Sequence, residues 1–489
     1  MQQFEQIFNS ALTSTNDFLT GYVLLIALVG GGIWFTFQTG FVQIREFRNG
    51  WKRVFGGLFK KDKSGKKEGG ISSFQALTTA IAAQVGTGNL AGAATAIAAG
   101  GPGSIFWMWV SAFFGMATIF CEATLAQIYR KKNPDGTITG GPVYYIRAAF
   151  NGAGGRILAG AFAVLIILAL GFFGNAVQAN SITDAFHTAF FRGDTMSFTL
   201  MDTVIPVDKL IVGILLAIVA FLVFSGGISR IASITETLVP LMACLYLLGG
   251  FIIVIMNFKN IPYIFQSIIV GAFNPRAVCG GVFGVAMKEA VKRGVARGLF
   301  SNEAGMGSTP NAHAQANVDH PVQQGQVAII SVFIDTLLVL NMTAFVIIGT
   351  GMLEAGSPAY VDGVLATGIV LTQTAFSTAF GPAGNIFVAI CMLFFAFSTI
   401  LGWYFFGENN VRYLFGEKAV KPYIVIVCLF IILGALMKVT TIWNMSDCFN
   451  SLMVVPNIIG VFALTGVVKK TYKDYRENFL PNHPEDESK

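Results

Sequence analysis

Charge is what this 489-residue chain has least of: 12% of its residues are charged, against 54% hydrophobic. Between Glu68 and Glu122 there is no charged side chain at all. A soluble domain needs a charged surface over such a length, so that reading is excluded. The mean hydropathy is +0.65, and uncharged stretches of about 20 residues recur, the length that crosses a bilayer as helix. Histidine is nearly as scarce: His187, His313, His320 and His483 are scattered over expected loops and ends. No metal-spaced cluster, phosphate-binding glycine loop or paired nucleophile and base is present, so neither an enzyme nor a resident cofactor is expected. The six cysteines lie singly in apolar segments and read as packing residues rather than ligands or disulfides. The start, MQQFEQIFNS, has neither a basic head nor an early apolar run, so a cleaved signal peptide is not expected.

What is there is hydrophobic helix. Eleven candidate spans can be drawn: 18–41, 72–99, 104–129, 156–186, 208–226, 231–256, 276–297, 323–351, 382–407, 422–437 and 441–466. Segments 259–273 and 362–379 are apolar but shorter, and suit interfacial or re-entrant positions. The loop IREFRNGWKRVFGGLFKKDKSGKKEGG holds nine Lys/Arg against three acids, which by the positive-inside rule places it in the cytoplasm. Arg130–Lys132, Arg230, Lys292/Arg293/Arg297, Arg412/Lys418/Lys421 and Lys469/Lys470 then fall on that side, while GMLEAGSPAYVDG (351–363) is acidic. The expected topology has the N-terminus outside and the C-terminus in the cytoplasm.

Two spans carry breaks. The second contains VGTGN (85–89) and the seventh CGGVFG (279–284). Glycine weakens helix, and unpaired backbone is costly in hydrocarbon. Close helix packing explains GNLAG, but not why Gln84, Thr87 and Asn89 crowd one point. The two broken spans are five apart, so the second block is inverted relative to the first. Paired breaks of this kind point to a secondary transporter. The expected organisation is all-α and polytopic: a preceding helix and basic loop (1–71), inverted repeat one (72–256), inverted repeat two (257–466) and a cytoplasmic tail (467–489).

QVGTGNLAGAATAIAAGGPGSIFWMWVSAFFGM (84–116) resembles the signature region of the sodium:alanine symporter family. RGLFSNEAGMGSTPNAHA (297–314) and FAFSTILGWYFFGE (395–408) are similar to two further blocks of it. The resemblance implies the LeuT-type fold, with a 5+5 inverted repeat, one extra N-terminal helix and two broken helices. It also implies a multi-pass protein of the plasma or inner membrane, partnered by sodium, a small neutral amino acid and the bilayer, and by no nucleic acid.

A zwitterionic amino acid at mid-membrane needs donors for its carboxylate, and a half-helix beginning at Thr87, Gly88 and Asn89 can supply them. Its ammonium needs acceptors, which carbonyls freed near Gly280 and Gly281 can provide. Phe283 either walls the pocket or packs the bundle. Gln84 and Asn89 can each donate and accept; interhelical amide bonding is the other reading for both. Gln178 lies on a helix that the resemblance runs past the substrate. Sodium requires several hard oxygens. The resemblance assigns it the carbonyls of Ala82 and Val85 and the hydroxyls of Ser398 and Thr399, with Thr399 also beside the substrate. On spacing alone, those hydroxyls suit back-bonding within their own helix. Trp403 is four residues after Thr399, hence on the same face, where a large ring would restrict the ligand to alanine or glycine. Glu122, Glu236, Asp335 and Asp447 are acids within the spans. SNEAGMGSTP (301–310) is expected in a cytoplasmic loop. The leading expectation is sodium-coupled symport of a small neutral amino acid by alternating access. A proton-coupled carrier of another small zwitterion, using the buried acids, is the alternative, and a passive channel the third reading.

Overall fold

The computed structural model describes residues 2–56, 70–133, 137–191, 196–200, 203–273, 287–361 and 363–483. In chain order the helices are α1 (Ser10–Gln38), α2 (Phe47–Phe55), α3 (Ser73–Gln84), α4 (Ala93–Gly100) and α5 (Gly103–Ile128). There follow α6 (Ala153–Phe191), α7 (Val207–Phe224) and α8 (Gly227–Met256), then α9 (Ile261–Phe273) and α10 (Met287–Asn302). Next come α11 (Pro310–His313), α12 (Pro321–Gly349), α13 (Gly368–Phe380), α14 (Pro382–Phe415), α15 (Glu417–Leu436) and α16 (Thr441–Ala463). Helix α17 (Thr465–Asp474) opens the C-terminal segment. Nine helices among the described residues are long and apolar enough to cross a membrane. The two expected spans outside that nine, 72–99 and 276–297, are those read from the sequence as interrupted.

The first interruption is visible. Ser72 and Gln75 form a reciprocal cap that starts α3. The helix ends at Gln84, where Val85 turns out of helical geometry with ψ 87°. One wide turn over Gly88–Gly92 restores the direction, and α4 continues to Gly100. Gly101, at φ +72°, closes that arm.

A second visible interruption follows α10, at a place the sequence reading did not mark as a break. Helix α10 runs through residues 297–302 without a stop, and its last helical bond is Glu303 N–H to Leu299 O at 2.8 Å. Glu303, Gly305 and Gly307 then all adopt positive φ, at 57°, 91° and 76°. Alternating left-handed residues cannot continue an α-helix, and the chain resumes only at Pro310, a residue suited to a first turn. Residues 301–310 are buried throughout, with Ser301, Glu303, Ser308 and Thr309 at 0% exposure. The expectation of a cytoplasmic loop here is therefore wrong. Its polar groups find partners inside the bundle, as the next subsection details. The expected break at 279–284, with Gly280, Gly281 and Phe283, lies outside the described residues.

These two broken helices run side by side. A Cβ on Gly100 would stand 3.1 Å from Arg293 Cβ, and one on Gly88 would stand 3.0 Å from Ser301 Cα. The arms α4 and α10 are thus antiparallel, and both breaks meet at one depth. At the other end, Ile71 and Ser72 pair in parallel with Ala316 and Asn317, joining the chain ahead of α3 to the chain after α11. Around this pair, α5 packs on α10 and α12, α8 on α3 and α14, and α14 on α6 and α13. Exposed Ile211, Leu215, Ile218 and Leu222 make an apolar stripe along α7, and Leu241, Leu248, Ile252 and Ile255 one along α8. Such stripes suit lipid as solvent.

The end bearing α2 and α17 is tied by polar contacts. Tyr472 donates to Glu46 Oε1 at 2.7 Å, and Gln326 Nε2 donates to Glu46 Oε2 at 2.7 Å. His320 accepts the Val322 N–H on Nδ1 at 3.2 Å, and its Nε2 lies 3.4 Å from Asp474. Its ring also rests against Tyr475 and Phe479.

Two outcomes follow from this packing. A Cβ on Gly103 would sit 2.1 Å from the Gly271 carbonyl group, so Gly103→Ala forces α5 and α9 apart. It should cost about 1–3 kcal/mol, read as a lower unfolding temperature in detergent. Burial holds the His320 imidazole below its usual range, and hydrogen bonds from Asn478 and His320 hold Asp474 below its own. Both groups bind fewer protons when docked than when free. The His320 contribution is present above the ordinary imidazole value of about 6.5 and the Asp474 contribution above the ordinary carboxylate value of about 3.9, and each is lost as pH falls through its lowered value. Hydrogen-exchange protection in residues 472–482, corrected for the intrinsic rate, should fall on acidification, and His320→Ala should flatten that dependence.

Candidate functional site

The centre of the bundle is where the two breaks face each other. On the first, the Gly86 N–H donates to Asn89 Oδ1 at 3.0 Å, and the Thr87 N–H to Gln178 Oε1 at 3.2 Å. Side chains thus take over the backbone donors that the helix releases. Asn89 Nδ2 donates to the Asp335 carboxylate at 2.7 Å and to its carbonyl at 3.1 Å. Gln84 Nε2 reaches the second broken helix at Asn302 O, 2.7 Å away. A Cβ on Gly86 would lie 2.3 Å from Thr399 Oγ1 and 3.1 Å from Gln178 Oε1. Only glycine lets α14 and α6 approach the backbone there.

Three of the four expected sodium ligands converge. Thr399 Oγ1 donates to the Ala82 carbonyl at 2.8 Å and Ser398 Oγ to the same oxygen at 3.4 Å. Both hydroxyls also bond back to Phe395 O, at 3.0 and 2.8 Å. The back-bonding to their own helix is thus present, alongside the approach to Ala82. Val85 lies past the last helical turn, so its carbonyl leaves the α3 axis. Asn175, one turn before Gln178, bonds within its own helix to Gly171 O. Trp403 is 1% exposed, so its ring lies inside the bundle.

Several residues of this centre carried no assignment from sequence. Glu303 accepts the Trp403 indole N–H at 2.5 Å and the Ser308 hydroxyl at 2.5 Å. Asp335 accepts from Ser301 at 2.9 and 3.0 Å and from Thr336 at 2.9 Å. The Glu122 carboxylate accepts the Gly305 and Gly307 amides, each at 3.1 Å, and a side-chain bond from Asn457. Phe300 meets the Trp403 ring edge-on at 5.7 Å. Arg297 forms a bidentate pair with Asp447 at 2.6 and 2.9 Å, with its guanidinium over Trp443. The signal for this second break was available in EAGMG, glycines at alternate positions beside an acid. Its place after the expected seventh span put it in a cytoplasmic loop instead.

Similarity now bears on this geometry. The family model described as the sodium:alanine symporter family matches residues 5–487. The chain belongs to that family. The sodium/alanine symporter AgcS of Methanococcus maripaludis is 40% identical over 97% of this chain and 99% of its own length. The amino-acid carrier protein AlsT of Bacillus subtilis is 38% identical over 96% and 91%. Among solved structures, a manganese transporter mutant from Eremococcus coleocola superposes with a TM-score of 0.50, covering 80% of this chain and 76% of that one. At 14% identity, that likeness concerns the fold alone. A transporter family with this many apolar helices makes the chain a multi-pass membrane protein.

Removal of the Glu122 carboxylate should expose how the second break is held. Glu122→Ala leaves two buried amides without acceptors, at about 1–3 kcal/mol each. Thermal unfolding in detergent should fall sharply, while Glu122→Gln, which keeps one acceptor oxygen, should fall less.

Proposed function

We propose that the protein is a sodium-coupled carrier of a small neutral amino acid, alanine or glycine, working by alternating access. The observation that carries this reading is a set of three buried polar atoms around the breaks with no hydrogen-bond partner among the described residues: Gln84 Oε1, Thr87 Oγ1 and Gln178 Nε2. Each unpartnered atom in the bundle interior has a cost. Together they offer two donors, Thr87 and Gln178, to a carboxylate and one acceptor, Gln84, to an ammonium. The positive end of the arm from Gly88 and Asn89 towards Gly100 adds to the carboxylate side. That pattern matches a zwitterion.

Sodium is taken by the Ala82 carbonyl with Ser398 and Thr399, and by the Val85 carbonyl. Trp403 limits the side chain that fits beside Thr399, and Phe300 serves as a second aromatic wall. The ammonium contacts expected near Gly280 and Gly281 remain part of the proposal, joined by the carbonyls at the end of α10. In this reading residues 72–256 and 257–466 are the two inverted LeuT-type repeats. The positive-inside rule sets the N-terminus outside and the C-terminus in the cytoplasm of the cell membrane. Gln84, Thr87, Asn89, Gln178, Thr399 and Trp403 are each 1% exposed or less, so the site is closed to both faces and the arms must move to load it.

Uptake of labelled alanine into proteoliposomes should require an inward sodium gradient. Uptake unchanged in potassium or choline buffer sinks sodium coupling, and uptake driven by a pH gradient without sodium favours a proton-coupled carrier. Ser398→Ala with Thr399→Ala should raise the sodium concentration for half-maximal uptake about tenfold or more, with a smaller effect on alanine affinity at saturating sodium. Trp403→Ala should admit larger neutral amino acids.

A further inference from the structure

Glu303 is an acid of the centre that the carrier reading leaves unused. It is fully buried, and it is one of two described non-glycine residues with positive φ, the other being Phe41. Left-handed geometry costs a side-chain-bearing residue about 1–2 kcal/mol, so the fold holds this carboxylate where it is against a local preference. One oxygen accepts from Ser308, inside the same break; the other accepts the indole N–H of Trp403, on α14.

The opposite edge of that ring is also fixed. A Cβ on Gly174 would stand 2.6 Å from Trp403 Cε3 and Cζ3, so the six-membered edge lies directly on the backbone of α6. Phe300 closes from the side with its ring at 89° to the indole. The indole is therefore a bar set between α6 and the second break, with one end on bare backbone and the other on a carboxylate. Rotation of Trp403 about its side-chain bonds has to break the Glu303 bond first.

We infer that Glu303 is a positioning residue that locks the Trp403 indole across the pocket and thereby sets the upper size of the transported side chain. This rests on the carrier reading, because it gives Trp403 its place beside the ligand. A counter-charge for the ligand's ammonium is the competing role for the same carboxylate, and two conservative variants separate them. Glu303→Gln keeps the length and an acceptor oxygen but not the charge. Glu303→Asp keeps the charge but withdraws the oxygen by one methylene.

The experiment is sodium-driven uptake into proteoliposomes, with glycine, alanine, leucine and phenylalanine as competitors. Wild-type protein should prefer alanine over leucine. Glu303→Gln should keep that preference to within about twofold, whereas Glu303→Asp should lose about tenfold of it, the discrimination worth roughly one methylene of pocket. Preference kept by Glu303→Asp and lost by Glu303→Gln overturns the proposal in favour of the counter-charge. Equal loss in both reduces Glu303 to a structural role and also overturns it. Should Glu303→Asp fail to fold, Gly174→Ala presses on the other edge of the same ring. It should shift the glycine-to-alanine ratio towards glycine by about tenfold, and an unchanged ratio counts against the bar. Wild-type protein that takes up no alanine on a sodium gradient sinks the carrier reading instead. The size comparison is then made on whichever small amino acid the wild type does take up.

Discussion

Glu122 holds the hydrogen bonds that the chain between Asn302 and Pro310 cannot make to itself. A helix that stops inside a bilayer releases amides and carbonyls where no bulk water can take them, at several kcal/mol for each group left unpaired. Here the Gly305 and Gly307 amides converge on one carboxylate from α5, and Asn457 from α16 bonds both that carboxylate and the Gly305 carbonyl. Three separate parts of the chain meet at this point. The second break is thereby a defined structure, and the first can be set against it.

The first break uses a different device. Its released amides go to amide side chains, Asn89 for Gly86 and Gln178 for Thr87. An amide group has two polar ends: Asn89 spends its second on Asp335, whereas Gln178 uses one to hold backbone and keeps the other without a partner among the described residues. Gln84 repeats the arrangement by giving its nitrogen to Asn302 and keeping its oxygen. A break held by charge would have left a fixed ion beside the ligand. A break held by amides leaves neutral sockets of both polarities, which suit a molecule carrying both signs.

Much of this was legible in the sequence because hydropathy and glycine act locally. The uncharged runs gave the long helices, and VGTGN gave the first break, since glycine and polar residues crowd into a span with nothing polar around it. The resemblance named Ala82, Ser398 and Thr399 together as expected sodium ligands, and the structure brings the two hydroxyls within hydrogen-bonding distance of the Ala82 carbonyl. The break at 303–309 went unread for a physical reason. Glu303, Ser308 and Asn311 look like solvent-facing residues until Trp403, Glu122 and Asn409 are known to be beside them, and those partners are 98 to 183 residues away. Burial of polar groups is decided by tertiary partners, and one chain read in order does not contain them.

The two-residue ladder between Ile71–Ser72 and Ala316–Asn317 has a mechanical consequence. It ties the lead-in to α3 to the exit from α11, so the arms on that side of the two breaks are yoked. Among the described residues α4 and α10 share no such ladder and meet through side chains and glycine contacts. A displacement that frees the yoked side must carry both of its arms as one lever, pivoting at 85–87 and 303–309 together, or else snap the ladder. The opposite side has no backbone tie among the described residues to hold its arms together. The molecule is thus built with unequal stiffness on its two sides, a hinged pair facing a stapled one.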